Sequence, residues 1–228
     1  MPMTLIPRRP TLRRLAALLL AATLPLTAAD AHAAPVAADW ILSRIARPAP
    51  MRTPFVELRG SALLKTPLRI AGEYQRPDAH TLVRDVRSPY AETTTIASGT
   101  GGGGDVTIAR AGKSPRRFAL ARAPELAALQ ASFGALLAGD RAQLEQHYRI
   151  GAAGMRERWT LTLTPRDAAL AAKVQGITLY GRGAELRCIE TQMPKQPLQR
   201  TLLAGAARAA TEVHDAAALA ALCHGRGA

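Results

Sequence analysis

From Phe55 to Leu120, apolar and polar side chains alternate in six short blocks: FVELRGSALLK, LRIAGEYQR, TLVRDVR, YAETTTIAS, DVTIARA and RRFAL. Successive side chains of an extended chain point to opposite faces, so this spacing, broken by short turns, predicts an antiparallel meander. The alternation resumes in RERWTLTLTP, where Trp159, Leu161 and Leu163 share one side and Thr160, Thr162 and Thr164 the other. GITLYG and AELRCIET add a further strand pair.

Helical spacing appears in four other places. AADWILSRIARP carries Trp40, Ile41 and Ile45 before a stop at Pro48 and predicts a short amphipathic helix. PELAALQASFGALLAGDRAQLEQHY, from Pro124 to Tyr148, repeats Leu126, Leu129, Phe133, Leu136 and Leu137, with Gly139 suited to a helix stop and Asp140 to capping the next helix. PRDAALAAKV reads as a short helical crossing, and the segment from Pro194 mixes one weak strand with an Ala-rich helix ending near Cys223. The sum is an α+β fold: one strongly curved antiparallel sheet with helices over its open side. No fixed-period repeat and no long linker divides the chain, so residues 34–228 are expected to form a single domain with a divergent C-terminal tail at about 192–228.

One strand ends unusually. In LRIAGEYQRP the even positions are Leu68, Ile70, Gly72, Tyr74 and Arg76, so a guanidinium closes an otherwise apolar row. An unpaired buried guanidinium is costly, so Arg76 either finds carbonyl or anionic oxygens at the rim or reaches into water.

The N-terminus sets the compartment. Arg8, Arg9, Arg13 and Arg14 precede the apolar run LAALLLAATLPLTAA and the small-residue site Ala31-His32-Ala33, the pattern of a secretory signal peptide over 1–33. The run is shorter than the roughly 20 residues that span a bilayer, and no cysteine beside the cleavage site can take a lipid, so export to the periplasm of a Gram-negative cell is expected. The formal charge of +13 would favour nucleic acid in the cytoplasm, but after export the polyanions on offer are lipid surfaces. Aromatics make up only 4% of residues, too few for base-stacking platforms.

Motif matches fail on context. Gly99, Gly101 and Gly104 fit G-x-G-x-x-G, but a strand rather than a helix follows. For a P-loop ending in Gly112-Lys113-Ser114, the upstream glycine would fall on Thr107, and Pro115 blocks the helix. The histidines His32, His80, His147, His214 and His224 do not cluster into a metal-ligand pattern, and Asp85, Glu92 and Asp105 read as solvated strand and turn carboxylates. No nucleophile and base can be assembled, so neither an enzyme nor a cofactor is expected. Cys188 and Cys223 leave two readings open, a disulfide tying the tail to a strand or two free thiols.

The ordered series FVELRGSALLKTPLRIAGEYQRPDAHTLVRDVRSPYAETTTIASG, PELAALQASFGALLAGD, WTLTLTPRD and ITLYGRGAELRCIE resembles the LolA-like family of periplasmic lipoprotein carriers, over roughly Ala38 to Thr191. The resemblance implies an unclosed β-barrel whose apolar cavity lies under an α-helical lid. It also implies that the arginine before the proline, here Arg76, bonds lid backbone in the closed state. The aromatics that commonly follow Arg-Pro in the family are replaced here by Asp78-Ala79-His80-Thr81-Leu82.

Strand parity nominates Leu64, Leu68, Ile70, Tyr74, Leu82, Val106, Ile108, Trp159, Leu161 and Leu163 as cavity residues for an acyl chain. The expected function is a periplasmic carrier that takes acyl chains of lipoproteins, or a glycolipid or aryl-polyene lipid, from inner to outer membrane. Expected partners are an inner-membrane exporter of the ABC or RND type, an outer-membrane acceptor and, transiently, the membrane surface, with the carrier itself a monomer. The rival is an accessory module with a filled core that docks an exporter or a lipid-biosynthesis enzyme through its basic face.

Overall fold

The computed structural model describes residues 35–60, 66–99, 103–122 and 132–225. The signal-peptide segment, Leu64, Leu126 and Leu129 lie outside the described residues.

Helix α1 (Ala38–Ile45) buries Ala38, Ile41, Leu42 and Ile45, one stripe at the spacing of successive turns. The meander follows as β1 (Met51–Arg59), β2 (Leu68–Arg76), β3 (Thr81–Ser88), β4 (Glu92–Ser98), β5 (Gly104–Arg110) and β6 (Arg116–Ala119). The Asp78 carboxylate accepts from the backbone N–H groups of His80 and Thr81 and so shapes the β2 to β3 turn. Helix α2 covers 132–138, and Gly139 ends it with φ +71, a conformation that glycine enters without steric cost. Asp140 caps α3 (Arg141–His147) by accepting from the N–H of Gln143. The remaining elements are β7 (Tyr148–Met155), β8 (Arg158–Pro165), α4 (Ala168–Ala171), β9 (Gly176–Arg182), β10 (Glu185–Gln192), β11 (Gln199–Leu203), α5 (Ala204–Ala209) and α6 (Ala216–Cys223).

All eleven strands join one unclosed antiparallel sheet in the order β6-β5-β4-β3-β2-β1-β11-β10-β9-β8-β7. Strand β11 pairs with β1 on one side and β10 on the other, so the two runs of strands become a single surface. Two of these strands go beyond the sequence expectation. β7 was not expected, because YRIGAAGM is Gly- and Ala-rich and mostly exposed at a sheet edge. The weak strand in the tail proves central, with Thr201, Leu202 and Leu203 buried.

Opposed residues in an antiparallel pair share a face, so the register divides the sheet into two faces. We call the face bearing Phe55 and Trp159 the front; α1, α2 and α3 contribute to its core with Leu161, Leu163, Ile177 and Leu179. The back face bears Val56, Leu58, Cys188 and Leu202 and is covered by Ala206, Ala207 and Ala210 at α5 and by Leu219 and Cys223 of α6. Cys188 and Cys223 form a disulfide that fastens α6 to β10.

On the front face Gly181 lies opposite Trp159, and a Cβ there would overlap the indole ring. Trp159 is held in place by its Nε1–H donating to the Gly183 carbonyl at 2.9 Å. Gly181→Ala is expected to cost about 1 to 3 kcal/mol through overpacking, read as a lower urea midpoint followed by tryptophan fluorescence.

Candidate functional site

The front face of β1 to β6 is assembled by register alone. Thr53 opposes Tyr74, Phe55 opposes Gly72 and Glu57 opposes Ile70. Leu82 opposes Ile96, which opposes Val106, and Thr94 opposes Ile108. Leu68, Ile70, Tyr74, Leu82, Val106 and Ile108 therefore share one face, and Leu161, paired to Leu179 and through it to Ile189, belongs to the same face. Their surroundings differ across the sheet. Trp159, Leu161 and Leu163 are buried within the core that α1 to α3 complete. Ile70 and Val106 are buried, whereas Leu68, Tyr74, Leu82 and Ile108 keep partial exposure. The Tyr74 ring stands 6.2 Å from Phe133 of α2 and 4.6 Å from Phe55, so helix and meander meet over this row.

Arg76 ends the row beside Met51. Its Nη1 donates to the Arg47 carbonyl at 3.3 Å and its Nη2 to the Ala79 carbonyl at 3.4 Å. Arg47 lies two residues past α1 and is itself a junction. Its backbone N–H donates to the Leu137 carbonyl of α2 at 2.8 Å, and its Nη2 to the Ala184 carbonyl between β9 and β10 at 2.9 Å. One contact from β2 thus reaches the joint of α1 and α2.

A buried polar group interrupts the apolar face. Glu57 is 1% exposed; its Oε2 accepts from Arg84 Nη2 at 3.0 Å and its Oε1 from Arg59 Nε at 2.9 Å. The Arg84 guanidinium lies 4.9 Å from the centre of the Phe55 ring. Burial, and after it the Glu57 carboxylate, pushes the Tyr74 hydroxyl above the usual phenol range. Glu57, Arg59, Arg84 and Arg47 were missed in the sequence. Parity offered the signal for three of them, since Glu57 and Arg59 share a strand face with Phe55, and Arg84 shares one with Leu82 and Val86.

Of the strand carboxylates, Glu92 is paired with Arg110, and Asp85 with Arg87 at 3.0 Å. Glu190, Cys223 and His224 bring possible ligand atoms within 4.8 Å of one another, but the Cys223 sulfur is taken up in the disulfide. Among the described residues no helix is long and apolar enough to cross a membrane.

No curated protein matches the chain. Among solved structures, a LolA superfamily protein from Nitrosomonas europaea is similar over 74% of this chain and 91% of its own, at 14% identity and a TM-score of 0.36. LprF from Mycobacterium bovis is similar over the same shares, 74% and 91%, at 13% identity and a TM-score of 0.32. Likeness at that level carries no argument about function. The family model described as outer membrane lipoprotein carrier protein LolA-like matches residues 28–227, including the whole segment that supplies β11, α5 and α6. With nearly the full length matched, and with an unclosed antiparallel sheet carrying helices on its front face, the chain belongs to the LolA-like family of outer membrane lipoprotein carrier proteins.

Proposed function

We propose that this protein is a periplasmic, non-enzymatic carrier that holds acyl chains of lipoproteins or other lipids against the front face of β2 to β5. In this reading it moves them from an inner-membrane exporter to an outer-membrane acceptor. The observation that carries the proposal is the row Leu68, Tyr74, Leu82 and Ile108, only partly buried, on the face where Arg76 grips the α1–α2 joint. The buried half of that face, around Trp159, Leu161 and Leu163, serves as the floor on which the helices rest.

Magnitudes favour a latch that opens. The Arg76 bonds are longer than the usual 2.9 to 3.0 Å of N–H···O contacts and are worth about 1 kcal/mol. Each buried methylene returns about 0.8 kcal/mol, so a few carbons of an entering chain outweigh the contact. Native mass spectrometry of protein purified gently from periplasm tests the carrier role. Acyl-bearing cargo bound in stoichiometric amount supports it; a cargo-free mass throughout favours the rival, an accessory module with a closed core.

Arg76→Leu is expected to leave the urea midpoint nearly unchanged and to speed cargo release to acceptor vesicles about fivefold, the factor that about 1 kcal/mol commands. Unchanged release kinetics would remove Arg76 from the mechanism.

A further inference from the structure

The back face carries a recess that the acyl-chain reading does not use. It lies at the hairpin end of β7 to β10 beside the C-terminus of α6, has a volume of about 1050 Å³, and is walled in part by Arg158, Arg182, Arg187 and His224. The register explains the gathering of arginines. Arg158 opposes Met155 next to the β7–β8 turn, Arg182 opposes Glu185 next to the β9–β10 turn, and Arg187 sits at the bulge between Leu186 and Cys188. Three guanidiniums from three adjacent strands thereby line one hollow.

Their charge is poorly matched by the protein itself. Among the described residues neither Arg158 nor Arg182 forms an ion pair, and Arg187 has only one, Nη1 to Glu185 Oε2 at 3.3 Å. The Nε of Arg187 is buried without a hydrogen-bond partner, although a buried N–H normally has one. Among the described residues that line it, Glu157 is the one carboxylate, against three arginines. The nearby Glu190 offers no relief. Its Oε1 is held by Arg200 at 2.6 Å and by His224 at 3.1 Å, and its Oε2 accepts from the Tyr180 hydroxyl at 3.0 Å. The disulfide fixes Cys223, and with it His224 and Gly225, as the wall facing the arginines.

The geometry points to a phosphate-binding site in this recess, separate from the front face. Guanidinium forks match the oxygens of a phosphate, and three of them suit its charge better than that of a lone carboxylate. Tyr180 and Met155 supply apolar wall for whatever the phosphate is attached to. Two sources carry this group, a free phosphate and the headgroup of an anionic phospholipid.

The test titrates the oxidised, full-length mature protein separately with inorganic phosphate and with dihexanoyl phosphatidylglycerol. Binding is read by calorimetry and by backbone amide shifts. Saturable shifts at Gly181, Arg182, His224 and Gly225 are expected, and the ligand that produces them identifies the source. Arg158→Gln with Arg182→Gln, both at exposed positions, is expected to weaken that binding at least about tenfold while the urea midpoint stays in place. The inference is overturned if neither ligand moves those four amides or if the double variant binds as tightly as the parent. Shifts confined to Gly72 and Tyr74 also overturn it, and leave the front-face carrier reading standing.

Discussion

Glu57→Leu is expected to destabilise the protein by about 3 to 5 kcal/mol, more than any other single substitution considered for the front face. The carboxylate is 1% exposed, and removing it strands Arg84, whose side chain is only 18% exposed, beside the Phe55 ring with no counter-charge. A buried charge that loses its partner keeps the full cost of its desolvation. Arg59, 45% exposed, regains water easily and contributes little to the loss. The double variant Glu57→Leu with Arg84→Met is therefore expected to recover most of the deficit, since replacing both members of a buried pair by apolar groups is often close to neutral. Urea unfolding of the parent, both single variants and the double variant measures this coupling. Independent, additive effects would show that the two side chains do not form one unit.

Loss of the disulfide ranks next. For a sequence separation of 35, the chain-entropy account gives about 3 to 4 kcal/mol, and in a chain of this length that corresponds to a fall of roughly 6 to 16 °C in Tm. The effect should be local in origin. Helix α6 has eight residues, too few to hold on its own in water, and among its residues only Leu219 and Cys223 are buried. Cys223→Ser is expected to free α6 from β10 while the front-face core persists, seen as early amide exchange in 216–223. A drop in Tm below about 2 °C would mean that packing alone holds the helix.

The strands most readable from sequence are those with one buried and one wetter face. In β8, Trp159, Leu161 and Leu163 are buried while Thr160, Thr162 and Thr164 are more exposed, and that contrast is what alternation reports. Where it vanishes, the reading fails. Strand β7 buries little beyond Tyr148, and its run of small residues carries no period. Strand β11 spans five residues, and its place between β1 and β10 depends on pairings with Phe55 and Cys188, far away in the chain.

The candidate site was legible to the same degree. Parity brought the apolar row and Arg76 onto one face, because facing follows from local geometry. Parity could not say that Trp159 and its neighbours lie under helices while Leu82 and Ile108 stay only partly buried, since burial depends on how α1 to α3 pack. The arginines of the back-face recess share no sequence spacing that links them, and only the folding of two hairpins beside the end of α6 brings them together.

The most direct measurement of the central claim places a photo-crosslinking amino acid at single positions in the protein in living cells. At Leu82 and Ile108, on the front face, irradiation is expected to trap acyl-bearing lipid or lipoprotein. At Val83 and Thr107, their neighbours on the opposite face, it should trap none. Crosslinks of equal yield on both faces, or cargo trapped at Val83 and Thr107 alone, would contradict a carrier whose acyl site is the front of the sheet.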